Sequence, residues 1–136
     1  MRITTKGRYA LRAMILLAKS YSGSPISIKE LSRLENISPE FLEQIFFKLR
    51  KAGIIASTRG PGGGFSLMRD PKSISLNEVF EAVGEGVELT PCSGDDVCER
   101  ADECDVHDVW VAATAHFRKY FSRISIQDIL NGKIKV

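Results

Sequence analysis

Two amphipathic helices separated by a turn of three or four residues set the tightest constraint on how this 136-residue chain can fold. The first opens at Ser27-Ile28-Lys29-Glu30, the pattern of a capping box in which hydroxyl and carboxylate each satisfy a free backbone amide. It turns Leu31 and Leu34 inward and stops near Asn36. Ser38-Pro39 then supplies an N-cap and a proline at the first helical position, where its missing N–H costs nothing. In the second helix Leu42, Ile45, Phe46 and Leu49 recur at i, i+3, i+4, i+7 and pack inward. Glu40, Glu43, Gln44, Phe47, Lys48 and Lys51 are left facing outward until Gly53 ends the run. Two helices joined this way form a helix-turn-helix.

The flanking segments extend the motif. Leu11, Met14, Ile15 and Ala18 make the buried face of an earlier helix that ends near Ser22-Gly23-Ser24-Pro25, with Arg2, Lys6, Arg8 and Arg12 around its start. Downstream, Ile54-Ile55-Ala56-Ser57-Thr58 and Phe65-Ser66-Leu67-Met68 are short β-prone runs on either side of Arg59-Gly60-Pro61-Gly62-Gly63-Gly64. A glycine tip has no side chains to obstruct close approach, so its backbone at Gly60, together with Arg59, can reach phosphates or a narrow minor groove. The expected fold is mainly α with a small β-hairpin, a winged helix-turn-helix.

A further helix starts at a second capping box, Ser75-Leu76-Asn77-Glu78, and buries Leu76, Val79, Phe80 and Val83 before Gly84 and Gly86. From Asp105 onward Val106, Val109, Trp110, Ala113, Phe117, Tyr120 and Phe121 form an apolar stripe wider than so short a chain can bury on itself. A two-fold partner helix would cover it, so this long C-terminal helix is expected to dimerise. Ser125-Ile126-Gln127-Asp128 caps a brief last helix, and the tail from Lys133 is expected to be loose. The organisation read from these elements is a DNA-binding unit over residues 1–84, a ligand loop over 85–104, and a dimerisation helix with tail over 105–136.

The net charge of +2 conceals a division along the chain. Residues 1–69 carry 12 Lys and Arg against 4 Asp and Glu, residues 70–108 carry 2 against 12, and residues 109–136 carry 5 against 1. A basic N-terminal half is the electrostatic footprint of a nucleic-acid binder, and the acidic middle would repel phosphate. Within the exposed N-terminal half of the second helix of the pair, a glutamate can accept from cytosine N4 and a glutamine can pair with adenine. Glu40, Glu43 and Gln44 are therefore the candidate base contacts, and Glu43 should penalise sites that lack its cytosine. Arg2, Lys6, Arg8, Arg50 and Lys51 are expected on phosphate, where they add affinity without sequence choice. With 43% apolar residues, no apolar run long enough to span a bilayer and no secretory start, the expectation is a folded cytoplasmic protein with no membrane partner. No nucleophile, base and orienting group recur in an enzyme-like spacing, and no small-molecule substrate is expected.

Cys92, Cys98 and Cys104 stand at an even stride and His107 follows within one helical turn. In a reducing compartment an odd set of close cysteines points to a metal or redox site, not a disulfide framework. Thiolates suit iron and bridging sulfide, and replacing one thiolate by a neutral imidazole leaves a more exchangeable ligand. Zinc also accepts three thiolates and a histidine, although its structural sites usually pair cysteines two to four residues apart. Asp95, Asp96, Glu99, Asp102 and Glu103 could contribute an oxygen ligand, while His116, well inside the long helix, is read as structural or surface.

Thr5-Lys6-Gly7-Arg8-Tyr9-Ala10, Leu42-Glu43-Gln44-Ile45-Phe46 running to Leu49-Arg50-Lys51-Ala52-Gly53-Ile54, the wing Arg59-Gly60-Pro61-Gly62-Gly63-Gly64-Phe65 and the Cys-x5-Cys-x5-Cys-x2-His ending resemble, in this order, the Rrf-type winged-helix transcriptional regulators. The likeness covers about residues 1 to 130. It implies a homodimeric regulator that binds double-stranded DNA and holds a 2Fe-2S cluster through Cys92, Cys98, Cys104 and His107. Relatives with a nitric-oxide-sensing 4Fe-4S cluster tend to carry an acidic residue near the start of the first helix, where this chain has Arg8. The presence of Arg8 and His107 favours the 2Fe-2S branch over the 4Fe-4S one, and the five-residue cysteine gaps weigh against zinc.

Overall fold

A computed structural model describes residues 2–94 and 98–136. The chain order is α1 (Thr5–Lys19), α2 (Ile28–Glu35), α3 (Pro39–Lys51), β1 (Ile55–Thr58), β2 (Gly64–Leu67), α4 (Leu76–Ala82), α5 (His107–Ser122) and α6 (Ile126–Leu130). Single 3-10 turns lie at Pro71–Ser73, Pro91–Ser93 and Ala101–Glu103. The mainly helical fold with one hairpin is the one the spacing predicts.

Helix α3 begins as its sequence requires, with the Ser38 hydroxyl accepting from the Phe41 amide and Pro39 at the first position. Its inward residues Leu42, Ile45, Phe46 and Leu49 are all buried. They meet a face of α1 made by Ala10, Ala13, Met14, Leu17 and Ala18, while Leu11 and Ile15 are only half-buried. Met14 and Ala18 thus lie on the face the spacing predicts, and Leu11 and Ile15 pack against its edge.

Two expectations for α2 need correction. Leu34 is 47% exposed, because a helix of eight residues offers the core little more than Leu31. Its capping box is half-formed: the Ser27 hydroxyl accepts from the Glu30 amide, but the Glu30 carboxylate is taken by Arg33 at 2.6 Å. That neighbour one turn on competes for the carboxylate and wins. At α4 and α6 the Ser75–Glu78 and Ser125–Asp128 boxes are complete.

The antiparallel hairpin pairs Ile55 with Leu67 and Thr58 with Gly64. Its second strand is also tied to the entrance of α2, since Ile26 and Phe65 exchange two backbone hydrogen bonds of 2.9 and 2.8 Å. Phe65 stands edge-on to Phe46 of α3, ring centroids 4.8 Å apart. The wing is thereby fixed to both helices of the pair.

A second apolar cluster, Leu76, Phe80, Val87 and Ile124, is closed by Phe117 and Phe121 of α5. After α5 the chain returns to the first body, where Ile126 of α6 is fully buried in the main core and its amide bonds to the Ile74 carbonyl at 2.9 Å. Among the described residues no helix is long and apolar enough to cross a membrane.

Candidate functional site

The candidate nucleic-acid face is built on α1, α3 and the wing. Glu40, Glu43, Gln44 and Phe47 form one exposed stripe on α3 at i, i+3, i+4, i+7. Neither Glu40 nor Glu43 forms an ion pair among the described residues, which leaves both carboxylates available to a base edge. Phe47, turned outward as predicted, is 60% exposed and is an apolar member of an otherwise polar stripe. Beside it Lys6 of α1 lines a small notch together with Gln44 and Lys48 of α3, so the first turn of α1 belongs to the same face.

Arg2, Arg8, Arg50, Lys51, Arg59 and Gly60 are all exposed. Arg50 reaches across to the hairpin, donating to the Ser57 hydroxyl at 3.4 Å. Arg12, grouped by sequence with the basic start of α1, is instead structural: it pairs with Glu35 at 2.9 Å and lies over the Tyr9 ring at 5.3 Å, locking α1 to the end of α2.

The four candidate metal ligands lie along consecutive tight turns that feed α5. Cys92 is in the Pro91–Ser93 turn, where its sulfur is 3.2 Å from the Thr90 hydroxyl. The Cys98 carbonyl accepts from the Ala101 amide and the Cys104 carbonyl from the His107 amide, each at 3.1 Å. All three cysteines are free and half-buried. His107 is the first residue of α5, and its Nδ1 is buried with no hydrogen-bond partner. Among the described residues no three Cys, His, Asp or Glu side chains are grouped so as to hold a metal ion. The four predicted ligands therefore share one segment without converging on one centre.

The donor set itself fits a cluster: three thiols and an orphaned imidazole nitrogen. Of the acidic residues that could add an oxygen, Glu99, Asp102 and Glu103 are exposed, and Asp95 and Asp96 lie outside the described residues. His116 is exposed, as expected of a surface residue.

One part of this segment is firmly anchored. Thr114, 2% exposed in the middle of α5, donates its hydroxyl to Ser93 Oγ at 2.9 Å and accepts from the Leu89 amide at 3.2 Å. Ser93, 5% exposed, in turn bonds both the carbonyl and the amide of Thr90. This small polar core clamps the Cys92 turn against α5. Sequence reading passed over it, since a lone threonine in an apolar stripe carries no signal until its partner on another segment is known.

On α5 the predicted dimer residues divide. Val109, Trp110 and Tyr120 are exposed by 55%, 37% and 48%, and Ala113 is half-buried. Phe117 and Phe121 turn toward the chain's own second cluster, Phe121 meeting Phe80 edge-on at 5.6 Å.

Comparison with known proteins agrees with this architecture. A profile of the Rrf2 family, iron-dependent transcriptional regulators, matches residues 3–132. An HTH-type regulator of Azotobacter vinelandii is 41% identical over 130 residues, covering 96% of this chain and 79% of its own. The regulator IscR of Escherichia coli is 38% identical over 133 residues, covering 98% and 82%. Among solved structures, the global cysteine regulator CymR of B. subtilis superposes with a TM-score of 0.79 at 27% identity over 95% of both chains. IscR of T. potens superposes with 0.78 at 27% identity, over 98% of this chain and 89% of its own. These relatives are DNA-binding transcriptional regulators and not enzymes, and on both sequence and fold the chain belongs to the Rrf2 family, as a transcriptional regulator of the IscR type.

Proposed function

We propose that this regulator acts as a homodimer on double-stranded DNA and that its choice of sites is set by a 2Fe-2S cluster held by Cys92, Cys98, Cys104 and His107. The observation that carries the reading is the buried, unpartnered Nδ1 of His107, three residues after a half-buried cysteine. A buried polar nitrogen without a partner is costly, and a metal ligand bond relieves that cost. Bound there, the cluster supplies one-electron chemistry with a neutral, exchangeable imidazole among its ligands.

The chain's own part follows from its anchors. Bringing three thiolates and the imidazole together requires residues 92–107 to close. The Ser93–Thr114 bond joins one end of that segment to α5 and His107 joins the other, so closure is felt by the helix whose exposed face would meet a second copy. A ligand shifts an equilibrium only through unequal affinity for two states, and here the two states are the open and closed segments. On the DNA side, Glu43 and Gln44, with Glu40, select bases in the major groove, while Arg2, Lys6, Arg8, Arg50, Lys51 and the Arg59-Gly60 tip hold phosphate or the minor groove.

Purification without oxygen, with assay of iron, acid-labile sulfide and visible absorption, tests the cofactor. A coloured protein carrying equal iron and sulfide is expected, and Cys92→Ala should abolish the colour while leaving helical content intact. A colourless protein with one zinc after reconstitution overturns the cluster. A 4Fe-4S spectrum, or a DNA affinity answering to a thiol metabolite and not to dithionite, overturns the 2Fe-2S assignment while leaving the DNA-binding reading in place.

A further inference from the structure

Helix α1 starts after Thr4, whose own side chain makes no capping bond within the helix. The free amides of a helix start need acceptors. They find one 81 positions along the chain: the Thr4 amide donates to Glu85 Oε1 at 2.9 Å, and the Gly7 amide donates to Oε2 at 3.1 Å. The Thr4 hydroxyl donates to the same Oε2. Glu85 is 5% exposed, so three protein donors and the positive end of the α1 dipole stand in for the water it has lost.

The approach depends on the residue at position 7. A Cβ on Gly7 would sit 2.7 Å from Glu85 Oε2, so no larger residue fits while the carboxylate stays in place. Next to it the Gly84 carbonyl accepts from Lys6 Nζ at 3.3 Å. Residues 84 and 85 together thus grip residues 4 to 7. That turn lies against the reading helix, since Lys6 shares its notch with Gln44 and Lys48. In the other direction Glu85 leads through Val87, in the second core cluster, to Leu89 and the clamped Cys92 turn.

We infer that Glu85 is a positioning residue for DNA binding: it holds the first turn of α1 so that Lys6 and Arg8 meet phosphates beside the reading helix, and it joins that turn to the root of the ligand segment. The inference rests on the DNA-binding reading above. Each phosphate contact contributes about 0.9 to the slope of log affinity against log salt, so losing two flattens that slope by close to two.

The test uses the full chain and a duplex selected by the wild-type protein from a random-sequence library. In Glu85→Gln the side chain keeps its size, but one carboxylate oxygen becomes an amide NH2, a donor set against either the Thr4 amide or the Gly7 amide. The expected result is a salt slope flatter by close to two, with faster amide exchange at residues 4–8. Gly7→Ala, which keeps the carboxylate but displaces it, should flatten the slope in the same way, and it decides the matter if Glu85→Gln does not fold. Glu81→Gln, an exposed change one turn earlier on α4, should leave the slope unchanged. A folded Glu85→Gln or Gly7→Ala protein with the wild-type slope overturns the inference, because a purely structural cap would alter stability and exchange but not the number of phosphates met. A wild-type protein that selects no duplex overturns the DNA-binding reading, and the inference with it.

Discussion

Glu78 shows how a single side chain joins local and tertiary structure. Its carboxylate accepts from the Ser75 amide at 2.9 Å, completing the α4 cap, and from Arg69 at 2.8 Å, which ties α4 to the end of the hairpin. Partial burial acts to raise its pKa, but the Ser75 amide and the Arg69 guanidinium outweigh it and hold the carboxyl below the usual glutamate range. A lowered folded-state pKa means the unfolded chain binds more protons, so stability rises with pH through this window. The contribution is complete above the unfolded value, roughly pH 4.3, and is lost as pH falls through that value toward the folded one. Glu78→Gln should therefore flatten the acid limb of a stability–pH curve measured by urea unfolding. At neutral pH it should cost no more than about 1 kcal/mol, because the pair is 40% exposed and water screens it. The cap itself was legible in Ser75-Leu76-Asn77-Glu78. Its ion pair was not, and the matching pattern at Ser27 was spoiled by Arg33, since a local motif does not record which partner wins a carboxylate.

Among the elements, the wing is set by one backbone crossing. Gly64 opens β2 with φ +154, and a Cβ there would lie 2.3 Å from the Ile26 carbonyl oxygen. Backbone cannot retreat as a flexible side chain would. Gly64→Ala should lower stability by roughly 2–4 kcal/mol in urea unfolding, through backbone strain together with overpacking. Gly60→Ala, at φ +94 with nothing within 4 Å of the added atom, should cost only the strain, about 1 kcal/mol. Equal losses in the two variants would show that the Ile26 contact does not govern the wing. The glycine run announced a turn but did not distinguish Gly60 and Gly62, which are open, from Gly63 and Gly64, which backbone crowds. For the helices, period and caps sufficed to place α3 and its outward residues. They misjudged Leu34, because the pattern marks a face but not how far the neighbouring helix extends over it.

At the scale of the whole molecule, α5 keeps an exposed apolar face. Val109, Trp110 and Tyr120 remain exposed while Phe117 and Phe121 serve the chain's own cluster, so the exposed face is narrower than the stripe in sequence. If the homodimer forms through that face, Trp110→Glu should shift sedimentation from dimer to monomer at micromolar concentration, with the thermal midpoint of the monomer fold little changed. A dimer that persists would place the interface elsewhere. The last segment carries a related lesson, for α6 buries Ile126 in the same core as α1 instead of trailing from α5. Helix periods, caps, the glycine-rich hairpin and the charge division are properties of neighbouring residues, and so sequence alone determined the winged helix-turn-helix, the exposed stripe of α3 and the set of soft donors. Contacts between positions far apart in the chain were decided by tertiary packing alone: the Glu85 carboxylate under α1, Thr114 under the Cys92 turn, and α6 against the core. Burial and hydrogen-bond partnership depend on what the fold brings near, and no local pattern encodes that.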